Sequence, residues 1–135
     1  MYQTIKYLTL TLRYGTLKTT MSNERRANER INAALPINYE TIDTAEKHYG
    51  NTISKDISPG GIKILIDKFY PHKTKFLLRV QLGNNHKMIE GVTESVWSFN
   101  EPYSNRYHSG LRFIDMNKEY QNILKQFISI QTILV

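Results

Sequence analysis

The stretch Asp56-Ile57-Ser58-Pro59-Gly60-Gly61 runs into the apolar alternation Ile62, Ile64, Ile66, and together they predict a strand, a tight turn and a second strand. The proline suits the second position of the turn. The first glycine suits the third position, where a type II turn requires a positive φ. The aspartate and the serine are two residues apart on a strand, so their side chains point to the same side. The second glycine has no Cβ and would let a ligand approach the main chain.

A cationic segment precedes this turn. Arg26-Ala27-Asn28-Glu29-Arg30 carries two guanidinium groups four residues apart, and Arg25 adds a third. Arginines bind phosphates with two parallel hydrogen bonds and stack on flat rings. The plainer interpretation is a solvated charge run paired with Glu24 and Glu29. Because the segment leads directly into a strand, we favour an arm that bends over an anionic ligand.

The two segments together suit an anionic ligand that carries guanine. A carboxylate can accept from the N1–H and the exocyclic amine of guanine, while arginine can donate to the O6/N7 edge or to phosphate. An RxxxR arm followed by a DxSxxG turn resembles the PilZ domain, a family of bacterial receptors for the second messenger cyclic di-GMP. The resemblance covers roughly residues 24–127. It implies a binding site formed by Arg26, Arg30, Asp56, Ser58 and Gly61, to which we add Gly60 and, as a secondary contact, Arg25.

Composition sets the broad class. The chain has 135 residues, a formal net charge of +6 and no cysteine. Its length suits one domain with a core, and the positive balance favours acidic partners such as nucleotides. Without cysteine, disulfides and thiolate metal sites are excluded, and a cytoplasmic location is expected. No apolar run approaches the roughly 20 residues of a membrane span.

The remaining periodicity predicts a mainly β fold. Alternating strands are expected from Ile31 to Tyr39 (with an open edge or a bulge at Pro36), 49–57, 61–67, 75–82, 88–99 and 107–115. Gly83-Asn84-Asn85 indicates a hairpin, and Gly91 a bulge. Apolar residues then recur with helical spacing after a capping Asn117; they are Tyr120, Ile123, Leu124, Phe127 and Ile128.

This pattern predicts a small antiparallel β-barrel closed by an amphipathic C-terminal helix. The PilZ fold is similar, with six strands in the barrel. Val96-Trp97, and Gly110-Leu111-Arg112-Phe113 before the helix, also resemble that family, although a tryptophan at a strand end is most often a core residue. We expect the domain to span residues 22–130, with a tail at 131–135. Residues 1–21 form an N-terminal extension, which is either an extra strand or arm, or translated sequence upstream of a natural start at Met21.

No catalytic pattern accompanies the turn. Ser58 lacks the G-x-S-x-G elbow, the chain has no phosphate-binding P-loop, and the four histidines are scattered without metal-ligand spacing. We therefore expect no enzyme, no metal site and no cofactor other than the ligand cyclic di-GMP.

The predicted function is that of a receptor whose arm closes over cyclic di-GMP and so changes the surface offered to a protein partner. Following the resemblance, that partner would act in motility, pilus function, polysaccharide synthesis or regulation. One alternative is a small barrel that binds nucleic acid, although the nine tyrosines are spread along the whole chain. Another is a PilZ-like interaction domain that does not use its nucleotide site.

Overall fold

The computed structural model describes residues 29–83 and 87–134. Its elements, numbered here in chain order, are β1 (Ile31–Asn32), β2 (Pro36–Ile42), β3 (Tyr49–Ser58), β4 (Gly61–Ile66), β5 (Lys75–Leu82), β6 (Lys87–Asn100), β7 (Tyr107–Asp115) and the helix α1 (Lys118–Leu134). The helix thus continues past residue 130, the domain boundary that the sequence predicts. The predicted N-terminal extension, 1–21, lies outside the described residues.

Six of the seven strands close into a barrel. The sheet order is β1-β3-β2-β5-β6-β7-β4, and the further pairing of β3 with β4 closes the ring from β2 to β7. Every strand pairing is antiparallel. The predicted fold, a six-stranded antiparallel barrel with one C-terminal helix, is confirmed.

The core consists of the inward side chains of the alternating strands. Phe76, Leu78 and Val80 of β5 are completely buried, as are Ile62 and Ile64 of β4. These are alternate residues on their strands, because successive side chains of a strand point to opposite faces. Burying such apolar surface is the dominant favourable term in the folding of the barrel.

The helix covers the barrel with the face that its periodicity predicts. The Asn117 side chain accepts a hydrogen bond from the backbone N–H of Tyr120 at 2.8 Å, which confirms the predicted cap. Leu124 and Ile128 are completely buried, and Ile123 and Phe127 pack against the core at its margin. In the described part of the chain, no helix is long and apolar enough to cross a membrane.

The predicted strand from Ile31 to Tyr39 is divided into β1 and β2, which both pair with β3. The hydroxyl of Ser54 accepts a hydrogen bond from the Leu35 N–H at 2.9 Å and donates one to the carbonyl of Ala33. These side-chain bonds add to two main-chain hydrogen bonds that the connection between the two pieces makes with β3, from the Ala33 N–H to the Lys55 carbonyl at 3.2 Å and from the Ser54 N–H to the Leu35 carbonyl at 3.0 Å. Pro36, where the sequence predicts an open edge or a bulge, is the first residue of β2.

The prediction of a bulge at Gly91 is wrong. Gly91 pairs in register with Leu78, and the irregularities of β6 lie further along, at Val92/Thr93 and at Ser95/Trp97. A Cβ on Gly91 would lie 2.9 Å from the terminal methyl of Met116, so this glycine makes room for a neighbouring side chain. In the predicted β5–β6 hairpin, Gly83 has a φ of 62°, whereas Asn84 and Asn85 lie outside the described residues.

Candidate functional site

The short strand β1 brings the arm to the turn. Ile31 pairs with Ile57, and Asn32 pairs with Asp56. In this antiparallel register the preceding residue, Arg30, comes opposite Ser58 at the end of β3. Pairing with β3, which the sequence analysis did not predict, therefore places the last arginine of the RxxxR segment beside the DxSxxG residues.

Arg30 contacts both polar side chains of the turn. Its guanidinium forms an ion pair with Asp56 and donates a hydrogen bond to the Ser58 hydroxyl at 3.2 Å. The Ser58 hydroxyl also accepts from the Gly61 N–H at 3.2 Å, which ties the serine to the turn. The sequence predicts that Asp56 and Ser58 point to the same side of the strand, and their shared contact with Arg30 shows that they do.

Asp56 has a second cationic neighbour. Lys63 on β4 is its direct cross-strand partner, and the Lys63 Nζ lies 3.6 Å from the other carboxylate oxygen. The Asp56 side chain is 13% exposed, compared with 31% for Lys63 and 47% for Arg30. A nearly buried carboxylate is costly unless it is paired, so the two cations stabilise Asp56 at the rim of the barrel.

The two glycines of the turn have different surroundings. The predicted type II geometry is wrong, because Gly60 does not have a positive φ. A type I turn also accepts proline at its second position and needs no positive φ at the third. A Cβ on Gly60 would meet nothing within 4 Å, whereas a Cβ on Gly61 would lie 2.5 Å from the carbonyl oxygen of Leu111. Gly61 is thus required for the close approach of β7 to the turn.

These groups open onto a cleft of about 400 Å³, which we call the site cleft. It extends from the arm and the turn across β4 and β7 to the end of β6. Its lining residues are Arg30, Asp56, Gly60, Gly61, Ile62, Lys63, Val96, Trp97, Gly110, Leu111 and Arg112. A volume in this range suits a small organic ligand.

Trp97 is one of the residues that line the site cleft. A tryptophan at a strand end is most often a core residue, but Trp97 is 43% exposed. A Cβ on Gly110, its cross-strand partner, would lie 2.3 Å from the indole, so the ring covers the bare main chain of the glycine. This arrangement depends on the cross-strand pairing of Trp97 with Gly110, which the sequence alone does not show.

Aromatic rings continue from Trp97 along the outside of the barrel. Phe99 is near-parallel to Trp97, with ring centroids 5.7 Å apart, and it stacks on His108 at 4.8 Å. Both Trp97 and Phe99 are about half exposed. This aromatic row, Trp97, Phe99 and His108, was not predicted from the sequence.

Arg112 adds a guanidinium to the site cleft, but its charge is balanced locally. It donates a hydrogen bond to Glu94 at 2.7 Å, and this bond lowers the pKa of the Glu94 carboxyl. Arg30 and Lys63, which share one carboxylate, therefore leave the arm side of the cleft with an excess of positive charge. That charge suits an anionic ligand.

The structure brings together five of the predicted site residues, which are Arg30, Asp56, Ser58, Gly60 and Gly61. Arg25 and Arg26 lie outside the described residues. Within the ranges 29–83 and 87–134, no group of three or more histidine, aspartate and glutamate side chains could hold a metal ion. That the five residues bind a ligand remains a prediction.

Comparison with known families identifies the domain. The model of the PilZ domain family matches residues 24–129, which is most of the chain. The chain belongs to the PilZ domain family. The match includes both segments that meet at the site cleft. A comparison with curated proteins finds no match.

Solved structures with PilZ domains share the fold. The inhibitor of motility MotI/DgrA from Bacillus subtilis superposes with a TM-score of 0.69 at 22% identity, covering 82% of this chain and 52% of that one. YcgR from Escherichia coli, in complex with c-di-GMP, gives 0.61 at 19% identity, covering 82% and 47%. The PilZ domain of YcgR with c-di-GMP gives 0.54 at 17%, covering 82% and 94%. This chain spans about half the length of the inhibitor of motility.

Proposed function

We propose that this PilZ domain is a receptor for cyclic di-GMP and that the ligand binds in the site cleft. The observation that carries the proposal is the meeting of Arg30 with Asp56 and Ser58, residues from two separate segments, at one opening. The family membership supports it, as do the structures of Escherichia coli YcgR that contain c-di-GMP.

Each side chain has a role that follows from its chemistry. Asp56 accepts from the N1–H and the exocyclic amine of guanine, and Ser58 adds a hydrogen bond. The main chain at Gly60 and Gly61 lies against the ligand. Arg30 contacts a phosphate or the O6/N7 edge, as we also expect of Arg26, and Arg25 makes a secondary contact.

Ligand binding would rearrange the arm. In the structure, Arg30 is paired with Asp56, the carboxylate that guanine would use. Guanine and Arg30 therefore compete for Asp56, and the arm has to move when the ligand enters. The ligand thus shifts the population of arm conformations and changes the surface beside the barrel, and a protein partner binds the changed surface. We propose a regulatory domain of the cytoplasm rather than an enzyme, with a partner in motility or biofilm formation.

Calorimetric titration of the Arg30→Ala variant tests the site. A charge-assisted hydrogen bond contributes about 1.5–3 kcal/mol, so the variant should bind cyclic di-GMP roughly tenfold or more weakly than the wild type. Arg79→Ala is the matched control, because Arg79 forms ion pairs with Glu40 and Glu90, away from the site cleft. Unchanged affinity in the folded Arg30→Ala variant would remove the arm from the site.

The aromatic row favours a second candidate, a barrel that binds single-stranded nucleic acid. Trp97 and Phe99 are neighbours on β6 with exposed rings, and stacking of bases on such rings is independent of sequence. Titration with an unrelated oligonucleotide at two salt concentrations separates the candidates. Salt-dependent binding of the oligonucleotide without binding of cyclic di-GMP would favour the second one. A protein partner captured equally with and without nucleotide would favour an interaction domain.

A further inference from the structure

The pairing of strands gives Asp56 a fixed partner besides Arg30. Asp56 on β3 and Lys63 on β4 are directly opposite each other, and Lys63 is opposite Gly110 on β7. Opposite charges at directly paired positions stabilise a sheet. The position of Lys63 is thus set by the barrel, whereas Arg30 precedes β1 and is the more exposed of the two cations.

The two cations contact different oxygens of the carboxylate. Arg30 is paired with Oδ1, and the Lys63 Nζ lies 3.6 Å from Oδ2. If Arg30 moves to a ligand, Lys63 is the cation of the described residues that still balances a carboxylate that is 13% exposed. Without Lys63, Asp56 would be a nearly buried charge with no cation from residues 29–83 and 87–134, which is unfavourable.

We propose that Lys63 is a positioning residue that determines specificity for guanine, an inference that rests on the proposed function. When the arm releases Asp56, Lys63 holds the carboxylate at the rim with its acceptor oxygens facing the site cleft. Guanine then takes the place of Arg30, and its N1–H and exocyclic amine supply the donors that the guanidinium supplied before. Adenine has neither an N1–H nor a 2-amino group and so cannot offer this pair of adjacent donors. The advantage of guanine over adenine therefore depends on how Lys63 holds the carboxylate.

Binding of two cyclic dinucleotides tests this role. Cyclic di-GMP and cyclic di-AMP are titrated into the wild type and into the variants Lys63→Met, Lys63→Arg and Lys55→Met. Lys55 is an exposed lysine next to Asp56 on β3, so its loss is the matched control for net charge. In Lys63→Met, affinity for cyclic di-GMP should fall about fivefold or more, with a smaller change for cyclic di-AMP. Lys63→Arg should restore most of the preference, and Lys55→Met should bind like the wild type.

Two outcomes would overturn the proposal. Wild-type affinity and selectivity in Lys63→Met would show that Asp56 does not need this lysine. An equal fold-loss for both dinucleotides would show that Lys63 contacts the phosphates, which the two ligands share.

A second measurement needs no ligand. The melting temperatures of the wild type, Arg30→Ala, Lys63→Met and the double variant are compared in a double-mutant cycle. Since either cation alone compensates the Asp56 carboxylate, the melting temperature of the double variant should fall by more than the sum of the decreases in the two single variants. If the decrease in the double variant equals the sum of the two single decreases, the proposed role of Lys63 is contradicted. If the wild type binds neither dinucleotide, the proposed function fails, and this cycle alone decides whether Lys63 supports Asp56.

Discussion

Asp56 lies nearly buried between Arg30 of the arm and Lys63 of the barrel, and it forms an ion pair with each. The neighbouring turn depends on a single glycine for its packing. Gly61 lies so close to β7 that its missing side chain is a requirement, whereas Gly60 has open space around it. Two adjacent glycines that look equivalent in the sequence thus differ in their structural role.

Substitution of each glycine by alanine tests this difference. Gly61→Ala places a Cβ 2.5 Å from the Leu111 carbonyl oxygen, so β4 and β7 have to separate. We expect a loss of about 1–3 kcal/mol in the free energy of unfolding, the usual cost of overpacking. Gly60→Ala is the control and should be neutral or slightly stabilising, because alanine restricts the unfolded chain. Equal stabilities of the two variants in urea denaturation would contradict the close approach of β7.

Among the elements, the two-residue strand β1 places Arg30 beside the turn. It pairs with β3, and the Ser54 hydroxyl accepts a hydrogen bond from the Leu35 N–H in the connection between β1 and β2. Within the core, Tyr39 of β2 and Tyr70, in the connection from β4 to β5, pack edge-on against Phe76.

These two tyrosines predict how the stability of the barrel depends on pH. Burial raises the pKa of both Tyr39 and Tyr70, and the nearby carboxylate of Asp67 raises each further. Tyrosines of the unfolded chain ionise at about pH 10, so the stabilisation is fully present below that pH and is lost as pH rises through the higher folded-state pKa.

The variant Tyr70→Phe should therefore lose less stability than the wild type between about pH 9 and pH 11, since its ring has no proton to lose. Urea denaturation at both pH values measures the difference. Tyr49→Phe removes an exposed hydroxyl and should behave like the wild type. If Tyr70→Phe and the wild type lose the same stability between the two pH values, Tyr70 does not contribute to the pH dependence.

For the molecule as a whole, the sequence predicts the barrel and the helix because each depends on local periodicity. Phe76, Leu78 and Val80 alternate on β5, and Leu124 and Ile128 recur with helical spacing. The sequence could not show what depends on contacts between distant strands. The position of Trp97 over Gly110 and the pairing of Lys63 with Asp56 follow from register, which no single segment specifies.

The site shows the same division. The arm and the turn were recognisable as motifs, and the structure brings Arg30 to Asp56 and Ser58. They meet because β1 pairs with β3. This pairing is non-local, and β1, with two residues, is too short to show an alternating pattern in the sequence. The type II turn was predicted from proline and glycine alone, and that pair of residues is also compatible with the type I geometry.

Fluorescence of Trp97 tests the central claim most directly, because it is the chain's single tryptophan and it lines the site cleft. Titration of the wild-type protein with cyclic di-GMP should give a saturable change in its emission. GTP at equal guanine concentration should give no such change, and Arg30→Ala should require roughly tenfold more cyclic di-GMP. If saturating binding, established independently by calorimetry, leaves the emission of Trp97 unchanged, the ligand does not bind in the site cleft.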